Sequence, residues 1–199
     1  MKFTRIYYEP GVLDYELGRY LKEAFGSLPW YPIQNHNNIE ELRMRGNEDF
    51  VEMKRYLILG TRKTQTYSKN FKVSDYLVPF TSSGCSAMCL YCYLVCNYNK
   101  CSYLRVFVNR EEMLHKLISR SGKEDGPKTY EIGSNSDLIL ENEVTHNLSL
   151  VIETFAKEGR GSITFPTKFS MVSDLPGSRP PGRDHFQSQC ESPGNHPIG

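Results

Sequence analysis

The sequence lacks any apolar run approaching the ~20 residues that cross a bilayer, and its mean hydropathy of −0.51 excludes an integral membrane protein. It also has almost no net charge, because 24 Lys+Arg residues stand against 23 Asp+Glu residues, which excludes a polybasic nucleic-acid tail as its main feature. Residues 1–10 show no apolar segment followed by a small-residue cleavage site, so we expect no secretory signal and a cytoplasmic location. At 199 residues the chain is too short for a complete (β/α)₈ barrel, which needs roughly 250 residues.

Cysteine is scarce outside one segment. One cysteine, Cys190, lies far along the chain, and the other five lie close together: Cys85, Cys89, Cys92, Cys96 and Cys101. In a reducing compartment such grouping indicates a metal site or catalysis rather than disulfides.

The first part of the chain has helical patterning. Leucines and a phenylalanine recur every fourth residue over Gly11–Phe25, which predicts a helix, and a second helix is predicted over Glu48–Leu59. The stretch Lys54–Lys72 has six basic residues and no acidic one, which indicates either a solvated surface or a positive face near a phosphate backbone. We predict an N-terminal helical extension over residues 1–75.

From Tyr76 the pattern changes to short β-branched and aromatic runs that alternate with helical segments. Four strands are predicted at intervals of about 30 residues, as in successive βα units: Tyr76–Phe80, Tyr103–Val108, Thr129–Gly133 and Ser162–Phe165. We therefore predict an α/β fold in which residues 76–175 form about four βα units of a partial barrel, or a small doubly wound sheet.

Two helices between these strands have recognisable ends. Asn109 followed by Glu112 is typical of a capping box that opens a helix. The apolar stripe from Leu148 to Phe155 predicts the next helix, and Gly159 is placed to end it.

The segment from Cys85 to Cys92 has the pattern Cys-x₃-Cys-x₂-Cys in the loop after the first of these strands. Three close thiolates can hold three irons of a [4Fe–4S] cluster and leave the fourth iron open. A structural zinc site made by Cys89, Cys92, Cys96 and Cys101 is an alternative, and buried, unreactive cysteines are another. An open metal position at the carboxyl end of a parallel strand favours an active site.

The cysteine pattern matches the radical S-adenosylmethionine motif, and its surroundings resemble the spore photoproduct lyase family of DNA-repair enzymes. The resemblance extends over about residues 3–175 and rests on Arg5–Pro10, Ser74–Tyr76, Cys92–Leu94, Arg105–Asn109, Glu153–Lys157 and Phe165–Phe169.

The resemblance implies a radical carbon–carbon lyase that uses a [4Fe–4S] cluster and S-adenosylmethionine. A 5′-deoxyadenosyl radical would abstract hydrogen from the spore photoproduct in DNA, which would then revert to two thymines. Implied partners are DNA containing the thymine photoproduct and an electron donor such as flavodoxin or ferredoxin, and the expected state is a monomer.

The resemblance also implies site residues. Cys85, Cys89 and Cys92 correspond to the cluster ligands. Ser136 and Lys168 fall where the family contacts the amino-acid part of S-adenosylmethionine, and Tyr91 and Tyr93 match tyrosines of which one relays the hydrogen atom. Packing is the alternative role for the two tyrosines.

Two departures from the family pattern are visible. The segment Glu131–Asp137 has Ser134 where the family has its hydrogen-donating cysteine, and a hydroxyl O–H bond is far stronger than a thiol S–H bond. Either another group, such as Cys96 or Cys101, supplies the hydrogen, or the substrate differs.

The second departure is residues 176–199, which are rich in Pro, Gly, Ser and His and are predicted to be disordered. We hypothesise a frameshift near codon 175, which would make the chain an incomplete copy of a lyase.

Overall fold

The computed structural model describes residues 2–78, 80–89, 91–92, 94, 103–172, 175–177 and 190–191. Its strands are β1 Arg5–Tyr8, β2 Trp30–Pro32, β3 Tyr56–Gly60, β4 Ser68–Lys69, β5 Tyr76–Val78, β6 Ser82–Ser83, β7 Leu104–Phe107, β8 Lys128–Ile132, β9 Gly161–Thr164 and β10 Cys190–Glu191. Its α-helices are α1 Glu16–Ala24, α2 Glu40–Met44, α3 Phe50–Met53, α4 Arg110–Lys123, α5 Leu138–Thr145 and α6 Asn147–Glu158. Short 3₁₀ turns cover Pro10–Asp14 and Asn47–Asp49. None of the helices in these described ranges could span a membrane.

The strands form two five-stranded sheets. The N-terminal sheet has the order β2-β1-β3-β7-β6, with β2, β1, β3 and β7 parallel and β6 antiparallel. The second sheet has the order β10-β9-β8-β5-β4, in which β9, β8 and β5 are parallel and the edge strands are antiparallel.

The N-terminal sheet is covered on both faces. On one face Leu17 and Leu21 of α1 pack against Leu57 and Leu59. On the other face α2 and α3 pack against the alternate strand residues, a core made by Tyr7, Ile39, Leu42, Met53, Tyr56, Ile58 and Tyr103. Because successive strand side chains point to opposite faces, all five residues of β3 are buried.

The second sheet buries one face against helices. Tyr130 and Ile132 of β8 pack with Leu117 of α4 and with Val151 and Phe155 of α6. The alternate residues on β8, Thr129 and Glu131, are only partly buried. The opposite face of this sheet is therefore more polar.

The helix predicted over Glu48–Leu59 is wrong in its second half. Helix α3 ends at Met53, and Tyr56–Gly60 forms the central strand β3. A strand buried on both faces shows a continuous apolar run instead of alternating apolar and polar residues. When such a run follows a short helix, its hydrophobic pattern does not distinguish it from a continuation of that helix. The N-terminal region is accordingly a parallel sheet with helices, not a helical extension.

The expectation that four successive strands lie in one sheet is wrong for β7. Strand β7 pairs with β3 of the N-terminal sheet, while β5 pairs directly with β8. Strand partners are chosen by contacts distant in sequence, which spacing does not report. The described residues thus form mixed α/β sheets rather than a continuous partial barrel. The division into residues 1–75, 76–175 and 176–199 stays a prediction.

The helix ends agree only in part with prediction. Gly159 ends α6, and its N–H donates to the Phe155 carbonyl at 2.8 Å. Asn109 precedes α4 as predicted, but its side chain makes no capping bond and instead binds the Arg62 backbone and Glu112. Instead of forming a capping box, Asn109 therefore connects the start of α4 to the loop after β3 through hydrogen bonds.

The predicted disordered tail lies largely outside the described residues. Two of its residues, Cys190 and Glu191, pair antiparallel with β9 as β10, which differs from the prediction. An edge strand presents unpaired N–H and C=O groups that can take up such a segment.

Candidate functional site

A cavity of about 380 Å³ lies at the carboxyl ends of β8 and β9, against the cysteine loop. The structure brings to its walls every predicted site residue that it describes, together with Ser134: Cys85, Cys89, Cys92, Tyr91, Ser136 and Lys168. Tyr93, Cys96 and Cys101 lie outside the described residues, so their predicted roles are not observed. The fold thus brings the cysteine loop, the loop after β8 and the loop after β9 together at one cavity, although they are distant in sequence.

Two glycines let the cysteine loop and the loop after β8 approach each other. Gly84 has φ +75° and its N–H donates to the Asn135 carbonyl at 2.7 Å. Gly133 has φ +78°, and a Cβ there would lie 2.5 Å from Cγ of Leu138. Both positions have a left-handed backbone that favours glycine, and at Gly133 there is also no room for a side chain.

Cys85 is the most enclosed of the three thiols. It is 7% exposed, whereas Cys89 and Cys92 are partly exposed. Burial raises the pKa of the Cys85 thiol, although the Ala87 N–H, 3.4 Å from Sγ, and nearby Lys54 oppose the shift. A buried thiol stays protonated until a metal displaces the proton.

Lys54 anchors this loop, a role that sequence reasoning missed. Its ammonium donates to the Cys85 carbonyl at 2.6 Å, and the residue is 1% exposed. The basic stretch beginning at Lys54 therefore does not start on a solvated surface. No local signal marks a lysine for burial, because its acceptor is 31 residues away.

Asp137 is a second residue that was missed. Its carboxylate accepts from Ile139 N–H at the start of α5, from Thr167 Oγ1 at 3.0 Å and from Lys168 N–H at 3.1 Å. It thus fixes the loop after β9 to the loop after β8. An aspartate just before an apolar helical run is an N-cap signal, so the sequence did contain this information.

Ser136 is held by a buried polar network behind the cavity. The Ser82 hydroxyl lies 2.9 Å from Ser136 Oγ and donates to Glu141 at 2.6 Å, while Asn147 donates to the other Glu141 oxygen at 2.6 Å. Burial outweighs these hydrogen bonds and raises the pKa of Glu141. The Ser82 hydroxyl is thus within donating distance of both Ser136 Oγ and Glu141, and this contact holds the Ser136 side chain in place at the cavity.

Tyr91 and Lys168 meet at the rim of the cavity. The Lys168 ammonium lies 5.3 Å from the centroid of the Tyr91 ring, within the range of a cation–π contact. Tyr91 is 75% exposed, so this ring is not part of a packed core. The predicted role of Tyr91, hydrogen relay or packing, stays a prediction.

The thiols fit an iron–sulfur cluster in their chemistry. Cys85, Cys89 and Cys92 are free and line one cavity. Within the described ranges no three Cys, His, Asp or Glu side chains converge on a single-ion position. A [4Fe–4S] cluster distributes three thiolates over three irons, so these three thiols suit it; the zinc alternative includes Cys96 and Cys101, which lie outside the described residues.

Comparison with known proteins identifies the family. Residues 2–192 match the family described as spore photoproduct lyase. The chain belongs to the spore photoproduct lyase family. A spore photoproduct lyase from Bacillus subtilis (strain 168) is 29% identical over 187 residues, which covers 92% of this chain and 54% of the relative. One from Geobacillus sp. (strain Y412MC61) is 28% identical over 196 residues, covering 94% and 56%.

Solved structures of spore photoproduct lyase have the same fold. A variant with bound S-adenosylmethionine and dinucleoside spore photoproduct superimposes with a TM-score of 0.78 at 25% identity, covering 87% of this chain and 52% of that one. A spore photoproduct lyase variant in which a cysteine is replaced by serine superimposes with a TM-score of 0.78 at 26% identity. The chain thus spans about half the length of the spore photoproduct lyases it matches.

Proposed function

We propose that this chain carries the cofactor-binding part of a radical lyase that reverses the spore photoproduct in DNA. The observation that supports the proposal most directly is the cavity in which three free thiols, Ser136 and Lys168 meet. Cys85, Cys89 and Cys92 would hold a [4Fe–4S] cluster. With S-adenosylmethionine bound, that cluster supplies a one-electron cleavage that yields a carbon radical. Photoproduct-containing DNA and a flavodoxin or ferredoxin donor are the proposed partners of a cytoplasmic monomer.

The protein's own groups would orient S-adenosylmethionine by its amino-acid end. The Lys168 ammonium, at the rim, suits the carboxylate of that ligand. The Ser136 hydroxyl, held in place by Ser82 at 2.9 Å, suits the polar amino-acid end of the same ligand. Asp137 holds the backbone of Lys168 through a 3.1 Å hydrogen bond, so both contacts are fixed relative to each other.

The final hydrogen transfer is where this chain differs from its family. Ser134 lines the cavity at the position of the family's cysteine, and a serine hydroxyl does not readily give up a hydrogen atom. Tyr91, exposed at the cavity rim, is the described residue whose O–H bond is weak enough for that role. We propose that Tyr91 acts at this stage, with Tyr93 as its neighbour in sequence.

Anaerobic reconstitution tests the proposal. Purified chain supplied with iron and sulfide should bind about four irons, and after reduction it should cleave S-adenosylmethionine to methionine and 5′-deoxyadenosine. With dinucleotide spore photoproduct, thymine release should follow. Ser134→Cys serves as the gain-of-function variant, since restoring the thiol should raise the yield of thymine per S-adenosylmethionine cleaved.

Three results would count against the proposal. A colourless preparation that loads one zinc would favour an interaction module. Cleavage of S-adenosylmethionine without release of thymine, even in Ser134→Cys, would favour a substrate other than the spore photoproduct. Iron binding without cleavage would mean that the chain keeps the family's site without its activity.

A further inference from the structure

The N-terminal sheet has a topological switch point. Its parallel strands run in the order β2-β1-β3-β7, so the chain leaves β1 toward one side and later crosses to the other. Helix α1, between β1 and β2, packs on one face, and α2 and α3, between β2 and β3, pack on the opposite face. In such doubly wound sheets ligands bind outside the carboxyl ends of the strands at this switch point, here between β1 and β3.

A polar cavity of about 820 Å³ opens at this position. Its walls come from the residues just after the strands: Glu9 after β1, His36 after β2, Thr61 and Arg62 after β3, with Phe107 at the end of β7. The volume lies within the range of small-molecule sites, about 300–1,000 Å³. It is separate from the cysteine cavity, since the two linings share no residue.

Glu9, the carboxylate in the described lining of this cavity, is already committed to its neighbours. Its Oε1 accepts from the His36 backbone N–H at 3.0 Å and lies 2.8 Å from His36 Nδ1, and Oε2 accepts from Thr61 N–H at 3.3 Å. His36 also packs edge-on to Phe107 at 5.3 Å between ring centroids. Hydrogen bonds therefore hold this part of the wall together, and the recorded bonds of Glu9 go to His36 and Thr61 rather than to Arg62.

Arg62 and Lys63 bring positive charge to the cavity without a carboxylate partner. The Arg62 guanidinium lies over Phe107 with Cζ 4.1 Å from the ring centroid, and its buried Nε has no hydrogen-bond partner among the described residues. Within the same residues Arg62 and Lys63 make no ion pair, and Arg105 adds a third positive charge to the lining. Burial, and then the nearby charge of Arg105, lower the pKa of Arg62, as expected where two guanidinium groups lie close together.

We propose that this cavity binds the phosphate of a nucleotide, with the Arg62 guanidinium as its main ligand. A guanidinium held over an aromatic ring is restricted in position, and its planar set of N–H donors can bind a phosphate bidentately. The cavity volume is larger than a phosphate group alone would fill. The ligand therefore has a further polar part, the sugar and base of the nucleotide, which the amides of Asn35, Asn37 and Asn135 can bind. The phosphate belongs either to a free nucleotide or to a nucleic-acid backbone. The site needs neither a cluster nor lyase activity.

Binding measurements on the full chain without cluster reconstitution test the site. Fluorescence anisotropy with a labelled, undamaged thymidine decamer and calorimetry with thymidine monophosphate distinguish the two sources. Arg62→Gln is the test variant. Arg43→Gln, which removes an exposed arginine of α2 bonded to Asn38 at 2.9 Å, is the matched control.

We expect Arg62→Gln to weaken binding of at least one ligand about tenfold or more, the loss of a charge-assisted hydrogen bond. If the decamer is the ligand, the slope of log affinity against log salt should also shrink by roughly 0.7, one phosphate contact on a single strand. Arg62→Lys should restore part of the affinity, and unchanged emission of Trp30 should show that the sheet is intact.

Either ligand responding to Arg62 supports the site and identifies the source of the phosphate. The proposal is overturned if neither ligand binds at millimolar concentration. It is equally overturned if Arg62→Gln leaves affinity unchanged, or if Arg43→Gln weakens binding as much. None of these binding measurements uses iron or photoproduct. Their outcome therefore does not depend on whether the chain is active in the lyase assay.

Discussion

The two sheets differ in how their faces are covered, and this difference sets where each can bind a ligand. Helices cover both faces of the N-terminal sheet, so only its strand ends are accessible. The described residues of the second sheet cover one face with α4 and α6. The other face carries Thr129, Glu131 and Ser162, which are partly exposed. A sheet covered on both faces leaves its strand ends for a ligand, whereas a half-covered sheet also leaves part of one face.

The largest expected effect is a loss of iron binding at the cysteine cavity that leaves the N-terminal sheet unchanged. Cys85→Ser should abolish most iron binding and all S-adenosylmethionine cleavage, because one of three thiolates is lost. Iron and sulfide content per chain measures this. The single tryptophan, Trp30 in β2, should keep its emission, which reports that the other sheet is unaffected.

Cys190→Ser is the matched control for that substitution, since this cysteine lies outside the motif. It should retain the full iron content. Equal loss in both variants would contradict the ligand assignment.

A pair of glycine substitutions compares the stability of the two sheets. Gly161 of β9 has φ +107°, and a Cβ there would lie 2.1 Å from the Lys128 carbonyl oxygen. Gly161→Ala should lower the free energy of unfolding by about 3 kcal/mol or more, from backbone strain and overpacking together. Gly60→Ala in β3 would place its Cβ 2.5 Å from His36 Nδ1 and should cost about 1–3 kcal/mol.

Urea unfolding followed by circular dichroism and by Trp30 emission distinguishes the two. In Gly161→Ala the change in circular dichroism should precede the change in emission, because the second sheet loosens first. Coincident transitions in that variant would show instead that both sheets unfold as one cooperative unit.

A smaller effect concerns the buried network behind Ser136. The pKa of Glu141 is raised in the folded protein by burial, so the folded state holds this proton more tightly than the unfolded state. The stabilisation is complete below the unfolded pKa of about 4.3 and is lost as the pH rises toward the folded value. Glu141→Gln should remove this contribution, at most about 1.4 kcal/mol per pH unit.

The measurement is the difference in unfolding free energy between the parent and Glu141→Gln from pH 5 to pH 7.5. Taking the difference cancels other titrating groups, such as Glu9 and His36. A difference that does not change with pH would mean that Glu141 titrates normally.

The smallest effect is a stabilisation confined to the second region. Gly122 lies in α4, and a Cβ added there would meet no other atom within 4 Å. Gly122→Ala should raise the free energy of unfolding by about 0.5–1 kcal/mol, since alanine is the better helix former. Thermal unfolding measures it, with Gly11→Ala, equally open but in a 3₁₀ turn of the other region, as the comparison. A larger gain at Gly11 would contradict the helical explanation.

Local patterns predicted local features of both regions. The stripe through Leu17 and Leu21 indicated α1, Gly159 ends α6, and the spacing of Cys85, Cys89 and Cys92 identified the residues that line one cavity. These features depend on residues a few positions apart, which is the range over which periodicity and capping act.

Features that depend on distant contacts were not predicted. The sequence predicts helix as far as Leu59, although Tyr56–Gly60 is a strand, because a strand buried on both faces has no alternation. The burial of Lys54 depends on an acceptor in the cysteine loop. The switch-point cavity depends on β7 lying beside β3, a pairing between segments about fifty residues apart that no window of sequence contains.

Strand β7 has a consequence for building hybrids between relatives. It completes the N-terminal sheet through β3, yet Phe107 at its end packs in the core of the second sheet. A chimera joined between residues 60 and 104 would combine a strand from one parent with the sheet and the core of the other. A junction just after β7 would keep its pairing with β3 but would still separate Phe107 from core residues such as Tyr130 and Phe155. Only a junction before β1 leaves both contacts within one parent.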